Sequence, residues 1–180
     1  MITGIVLAAG AGRRFGRPKA DVVLRGERLL DRAVTTLRDG GCDEVLAVVR
    51  AAEVTAAGAR SIVNPTPERG MGSSLRLGVA EAAGSACVVL LVDLPGVRAD
   101  EVAAVIAAYR AGSPVVAVRR AGARSHPVLV SRPWLADFAA AAVGDQGGRQ
   151  FFTGHDDLVT YLDYPDEIRD IDTPEDLGRS

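Results

Sequence analysis

Thr3-Gly4-Ile5-Val6-Leu7-Ala8-Ala9-Gly10-Ala11-Gly12-Arg13-Arg14-Phe15-Gly16-Arg17-Pro18-Lys19 stands near the start of the chain, and its reading decides the fold. The apolar run Ile5 to Ala9 is predicted to be a strand, and it breaks into three glycines and four basic side chains. Glycine lets backbone amides approach a ligand closely and adopt positive φ. Successive N–H groups in such a turn form a concave anion site, and arginine or lysine adds full charge. The segment therefore reads as a phosphate-holding loop at the end of a strand.

Two familiar phosphate loops are excluded by spacing. A Walker A loop needs Gly-Lys-Ser/Thr at a helix start, whereas Lys19 follows Pro18 and precedes Ala20. The dinucleotide pattern G-x-G-x-x-G fails because Gly10, Gly12 and Gly16 are spaced one residue too long. Among 21 basic residues Lys19 is the single lysine. A chain so biased towards arginine places its one compact ammonium in this loop, where a point charge and a planar fork act differently.

The pattern Leu-Ala-Ala-Gly-x-Gly-x-Arg-x-Gly-x-x-Lys resembles the signature loop of the MobA-like NTP transferase family, and within it the molybdenum cofactor cytidylyltransferases. Leu-Ala-Ala-Gly looks like the cytidylyl branch, where the guanylyl branch has Leu-Ala-Gly-Gly. The resemblance implies that Leu7, Ala8, Ala9, Gly10, Gly12 and Lys19 bind a nucleotide, and that Arg13 and Lys19 hold its triphosphate.

The remaining composition is that of a globular protein. With 180 residues, 48% hydrophobic and 24% charged, the chain suits one domain, 1–180, with a sizeable core. A net charge of −2 gives no reason to expect a nucleic-acid partner. Cys42 and Cys87 lack metal spacing and read as buried free thiols of a reducing compartment. The first apolar run has no basic segment before it, and apolar runs such as Ala86 to Val92 are too short to span a bilayer. A cytoplasmic location without membrane contact is expected.

Strand-like and helix-like runs alternate onward. Glu27–Leu37 has helical spacing and ends at Gly40-Gly41, Val45–Val49 reads as a buried strand, and Ser61 to Val63 as a weaker one. Ser73–Ala83 is predicted helical, Cys87–Val92 a strand, 100–109 a helix with Asp100 as N-cap, and Val115–Val118 a strand. Beyond these, Ser125-His126-Pro127 reads as a loop entering a strand, Arg132–Val143 as a helix, and Leu158–Leu162 as a last strand. This βα order predicts an α/β fold, a three-layer, mostly parallel, Rossmann-like sheet with helices on both faces. Ligands of such sheets bind beyond the carboxyl ends of the strands, which puts the loop, Asn64-Pro65 and Asp93 on one rim.

Asp93 follows a buried strand, opens the turn Asp93-Leu94-Pro95-Gly96 and should face the phosphate loop. Magnesium on a nucleotide is held by one or two carboxylates, with phosphates and water completing the octahedron. The resemblance makes Asp93 a metal ligand and catalytic residue beside Arg13 and Lys19, with Asp172 a second ligand. Asp172-Thr173-Pro174-Glu175 reads equally well as a helix start.

Asn64-Pro65 and Gly70-Met71-Gly72-Ser73-Ser74 resemble the family's base-recognition segment, which implies nucleotide contacts from Asn64, Gly70 and Ser74. Ser125-His126-Pro127 and Gly144-Asp145-Gln146-Gly147-Gly148-Arg149 resemble its acceptor motifs, with His126, Asp145 and Arg149 as acceptor-binding residues. His155 has no supporting context and reads as surface loop.

The resemblance implies Mg²⁺-dependent transfer of CMP from CTP to a molybdopterin-type phosphate, a molybdoenzyme or its chaperone receiving the product. Two alternatives stand beside it. One is transfer to another phosphorylated acceptor. The other is an NAD(P)H-dependent oxidoreductase of the same family, similar to nicotine blue oxidoreductase, for which Arg50 after the second strand would suit a 2′-phosphate.

Overall fold

The computed structural model describes residues 1–146 and 148–178. Gly147, part of the expected second glycine loop, lies outside the described residues. Nine strands and five α-helices are formed by the described residues. β1 (Ile2–Leu7) is followed by a two-strand ribbon, β2 (Val23–Leu24) with β3 (Glu27–Arg28), and by α1 (Leu29–Asp39). Next come β4 (Glu44–Val49), β5 (Arg60–Val63), α2 (Met71–Glu81), β6 (Ala86–Leu91) and α3 (Ala99–Arg110). The chain then forms β7 (Val115–Arg120), β8 (Ala123–Ser131), α4 (Arg132–Ala140), α5 (Arg149–Gly154) and β9 (Val159–Tyr164).

Seven strands make one sheet in the order β5-β4-β1-β6-β8-β7-β9, and β8 alone runs against its neighbours. The expected mostly parallel α/β sheet is therefore present. β1 lies between β4 and β6, parallel to both and buried along its whole length. Alternate β1 residues face opposite layers, as the two-residue period of a strand requires. Ile2 and Val6 join the core under α1 and α3, and Ile5 and Leu7 join the core under α2, α4 and α5. α1 shows how sequence drives this burial. Leu29, Leu30, Ala33, Val34 and Leu37 recur on one stripe, and all five are buried.

The reversed strand was not legible as such. β7 turns into β8 through Ala121-Gly122, both at positive φ, with Arg120 paired to Ala123. Positive φ at both central residues is the geometry of a tight hairpin, usually signalled by Asn-Gly or Asp-Gly. Ala121 supplies only a weak signal. Ser125 and His126, read as loop, lie within β8. Asp100 is not the N-cap of α3. Arg98 is, and the Glu101 carboxylate accepts from its N–H at 3.3 Å.

Candidate functional site

The loop after β1 rises at the strand's carboxyl end. Gly12 sits at φ +59°, where an added Cβ would lie 1.8 Å from the Arg17 carbonyl oxygen, so the loop closes over a position that only glycine fits. Pro18 then delivers Lys19 to a short 3₁₀ turn, Lys19–Asp21. On the other side of β1, β6 ends at Leu91 and the chain turns through Asp93. The segment bearing Asp172 is tied to that turn, because the Ile171 N–H donates to the Asp93 carbonyl at 2.9 Å. Ile171 itself is wholly buried in the core under α1 and α3.

These three pieces bring Lys19, Asp93 and Asp172 together. Lys19 Nζ donates to Asp93 Oδ2 at 2.7 Å and also to Asp172 Oδ1. Burial works against the Lys19 charge, but the hydrogen bonds to Asp172 and Asp93 and their negative charge outweigh it, so its pKa is raised above 10.5. Asp172 is turned to Lys19 and, at 3.6 Å, to the exposed Arg14. Its side chain does not serve the following 3₁₀ turn, where the Asp176 carboxylate accepts from the Asp172 and Thr173 N–H groups.

A cleft of about 410 Å³ lies over this point. Among the expected residues it is lined by Leu7, Ala9, Gly10, Gly12, Arg13, Lys19, Gly70, Ser74, Asp93, Asp145 and Asp172. Ala8 and Asn64 do not line it. Ala8 alternates away from its neighbours and is buried. Asn64 is 2% exposed and works from beneath. Its amide donates to the Ser73 and Ser74 hydroxyls at 2.8 and 2.9 Å, and its oxygen accepts from the Thr66 N–H at 2.9 Å. Asn64 therefore shapes the start of α2 and presents Ser74, where direct contact with a nucleotide was expected.

The same cleft contains Arg50, Glu68 and Met71. Arg50 stands just past the carboxyl end of β4, and its Nε is buried with no hydrogen-bond partner. Composition gave no warning of Glu68, which reaches the rim through the short 3₁₀ turn Pro67–Arg69 before α2, whereas Met71 opens α2 within the segment singled out above.

A second cleft of about 350 Å³ adjoins the first, sharing Leu7, Met71, Leu91 and Asp145 with it. His126, Asp145 and Arg149, the expected acceptor residues, all line this second space. So do Arg124 and Asp170, which the sequence reading did not single out. The pairing of β8 with β7 shifts between Ala117 and Val118, and His126-Pro127 is the inserted pair. A bulge re-aims a side chain, and here His126 Nδ1 lies 3.1 Å from the Val89 carbonyl of β6. The carbonyl can only accept, so Nδ1 is the donor, and in the neutral ring that leaves Nε2 as the acceptor. Burial lowers the His126 pKa below 6.5, Arg149 and Arg124 add to that, and the Val89 bond and Asp93 oppose it.

Asp170 is pushed the other way. Burial and then the charges of Asp93 and Asp172 raise its pKa above 3.8. His155 is not a free surface residue. Its ring stacks on Phe151 at 4.4 Å and meets Trp134 edge-on at 5.5 Å. Phe138 and Phe152, which pack on Phe151, form the aromatic wall of the second cleft.

The residues fit a divalent cation only as a partial ligand set. Asp93 and Asp172 converge on one ammonium, so both can reach one ion. Among the described residues, no group of three or more His, Cys, Asp and Glu side chains is placed to hold a metal. Two carboxylates completed by phosphates and water are what magnesium takes on a nucleotide.

A glycine loop at the carboxyl end of the central strand, facing carboxylates across a cleft, is the arrangement of an α/β protein of the nucleotidyltransferase type. The profile of the MobA-like NTP transferase domain matches residues 4–158, and the chain belongs to that family. It is 36% identical to nicotine blue oxidoreductase of Paenarthrobacter nicotinovorans, covering 99% of this chain and 95% of that one. It is 33% identical to molybdenum cofactor guanylyltransferase of Rhizobium leguminosarum bv. trifolii, covering 99% and 91%. Among solved structures, Rv0371c of Mycobacterium tuberculosis superposes with a TM-score of 0.84 at 26% identity, covering 99% of this chain and 96% of that one. A manganese complex of Rv0371c gives 0.80 at the same identity, with the same coverage of both chains. No helix among the described residues is long and apolar enough to cross a membrane.

Proposed function

We propose that the protein transfers CMP from CTP to the terminal phosphate of a molybdopterin-type acceptor and releases pyrophosphate. The observation that carries this reading is the meeting of Lys19, Asp93 and Asp172 beside two adjoining clefts, one over the glycine loop and one with an aromatic wall. The acceptor phosphate is already anionic at neutral pH, so no serine or cysteine nucleophile is needed. The task left to the protein is alignment and charge neutralisation.

The amides of Gly10 and Gly12, with Arg13 and Lys19, take the triphosphate. Asp93 and Asp172 would hold magnesium, which when bound neutralises charge on the transferred phosphoryl group and the leaving pyrophosphate. The manganese complex of Rv0371c supports a divalent ion in this fold. His126, Asp145 and Arg149 orient the acceptor in the second cleft. The methyl group of Ala9 narrows the first cleft relative to a Leu-Ala-Gly-Gly loop, which favours a pyrimidine over a purine. Pyrophosphate release from CTP and from GTP, each with molybdopterin and Mg²⁺, tests the proposal. Turnover with GTP alone would reassign the donor, and release with neither would reject transfer to this acceptor.

Arg50 favours a second reading. Its buried, unpartnered Nε stands past the strand next to β1, where dinucleotide folds place an arginine for a ribose 2′-phosphate. The similarity to nicotine blue oxidoreductase points the same way. Oxidation of NADPH by the pure protein with a coloured heterocyclic acceptor, and its loss in Arg50→Ala, would favour it.

A further inference from the structure

We propose that Lys19 is the free protein's own cation for the Asp93–Asp172 pair, so that the divalent ion and the nucleotide phosphates enter as a couple. The inference rests on the reading above that phosphates occupy the glycine loop, and its first test needs no nucleotide.

One ammonium serves both acids. Lys19 Nζ donates to Asp93 and to Asp172, and its side chain is 15% exposed. The main chains bearing the acids are tied together, because the Ile171 N–H binds the Asp93 carbonyl and Ile171 is buried in the core. Arg14 cannot take over. It lies 3.6 Å from Asp172 with a side chain 80% exposed, and it forms no ion pair with Asp93. Lysine is the residue type for such a role. Its ammonium is a compact charge on a flexible four-carbon stem, whereas arginine would grip both carboxylates with a rigid fork.

An ion that draws on both acids meets the ammonium already bonded to them. Two cations sharing that space repel, so the ion enters only as Lys19 leaves. The glycine loop lines the same cleft as Lys19, and phosphates bound there give the departing ammonium a new counter-charge. Without phosphates Lys19 stays on Asp93 and Asp172, its two ion-pair partners among the described residues, while Glu68 and Asp145 line the cleft without pairing to it. Ion and nucleotide thus favour each other through one side chain, and by linkage each raises the other's affinity by the same factor.

Manganese titration of the nucleotide-free protein, followed by the paramagnetic resonance of free Mn²⁺, is the first measurement. Lys19→Met should bind Mn²⁺ at least about tenfold more tightly than wild type, a coupling of ordinary size. Lys19→Arg should show no gain. Arg13→Ala removes a charge from the same cleft without touching the acids, and should stay within about twofold of wild type. Equal affinity in Lys19→Met and wild type would overturn the proposal. So would an equal gain in Arg13→Ala, which would make the effect one of bulk charge. Circular dichroism of each variant confirms that it is folded.

The second measurement is CTP and GTP affinity with and without Mn²⁺. The enhancement by Mn²⁺ should shrink about tenfold in Lys19→Met. An unchanged enhancement would overturn the coupling. A gain in Mn²⁺ affinity by Lys19→Met, with neither nucleotide bound by any form, would uphold Lys19 as the acids' cation and remove the nucleotide reading instead.

Discussion

Lys19 Nζ lies 2.7 Å from Asp93 Oδ2, joining residues 74 positions apart across the carboxyl ends of β1 and β6. The contact links the glycine loop after β1 to the turn after β6. Neither element has a function of this kind alone, and the pair defines where a nucleotide's reacting phosphate would lie.

Removing the Asp93 charge should therefore separate chemistry from folding. Asp93→Asn keeps the turn and the Ile171 N–H bond to the main chain. Pyrophosphate release should fall on the order of 10²–10³-fold, the usual cost of one electrostatic contact at a reacting group. Melting temperature should change little. Full turnover would exclude Asp93 as a metal ligand.

Two glycines of the loop should respond differently to the same substitution. At Gly12 the positive φ and the Arg17 carbonyl leave no room for a methyl group, so Gly12→Ala should cost about 1–3 kcal/mol of stability. At Gly10 nothing lies within 4 Å of an added Cβ, so Gly10→Ala should melt like wild type. If phosphates rest on this loop, the Gly10 methyl group will still weaken nucleotide binding. Thermal melts and nucleotide titrations of the two variants separate the effects.

Asn64→Ala would strip the Ser73 and Ser74 hydroxyls of their shared donor and leave the Thr66 N–H without its acceptor. Leaving a buried polar group unpaired costs about 1–3 kcal/mol. Urea denaturation should show a loss of that size. Nucleotide affinity should fall with it because Ser74 lines the cleft.

His126 makes stability depend on pH. Its pKa is lowered in the fold, so between that value and 6.5 the unfolded chain binds the proton and the folded one does not. Stability then rises with pH through this window and is lost as pH falls below 6.5. Melting temperatures of wild type should drop more between neutral pH and pH about 5 than those of His126→Gln. Parallel curves would show that the ring is not held neutral.

Both thiols should be inert in the native protein. Cys42 and Cys87 are buried, and burial pushes each pKa up to about 12. Only the thiolate is nucleophilic. An aromatic disulfide reagent should label neither until the protein is unfolded, and then both.

The residues that touch the ligand clefts were mostly legible, for a local reason. A glycine loop after an apolar run, an acid after a second one and a histidine before a proline declare themselves through backbone freedom and strand ends. Arg124 and Asp170 did not, because their place in the second cleft depends on the path of β8 and of the segment after β9. His155 lies in a loop as expected, but its half-buried stacking on Phe151 was not legible for the same reason, since Phe151 belongs to a helix whose packing the sequence does not display.

The sequence by itself determined the alternation of strands and helices, the glycine loop and the acids at strand ends, since periodicity and glycine placement are properties of short stretches. Tertiary structure alone decided that β8 runs backwards, that Asn64 supports the site from below, and that one lysine bridges two aspartates from distant segments. Each of these depends on which groups are neighbours after the sheet has assembled. Spacing along the chain does not encode hydrogen bonds and charge pairs between residues 74 and 153 positions apart.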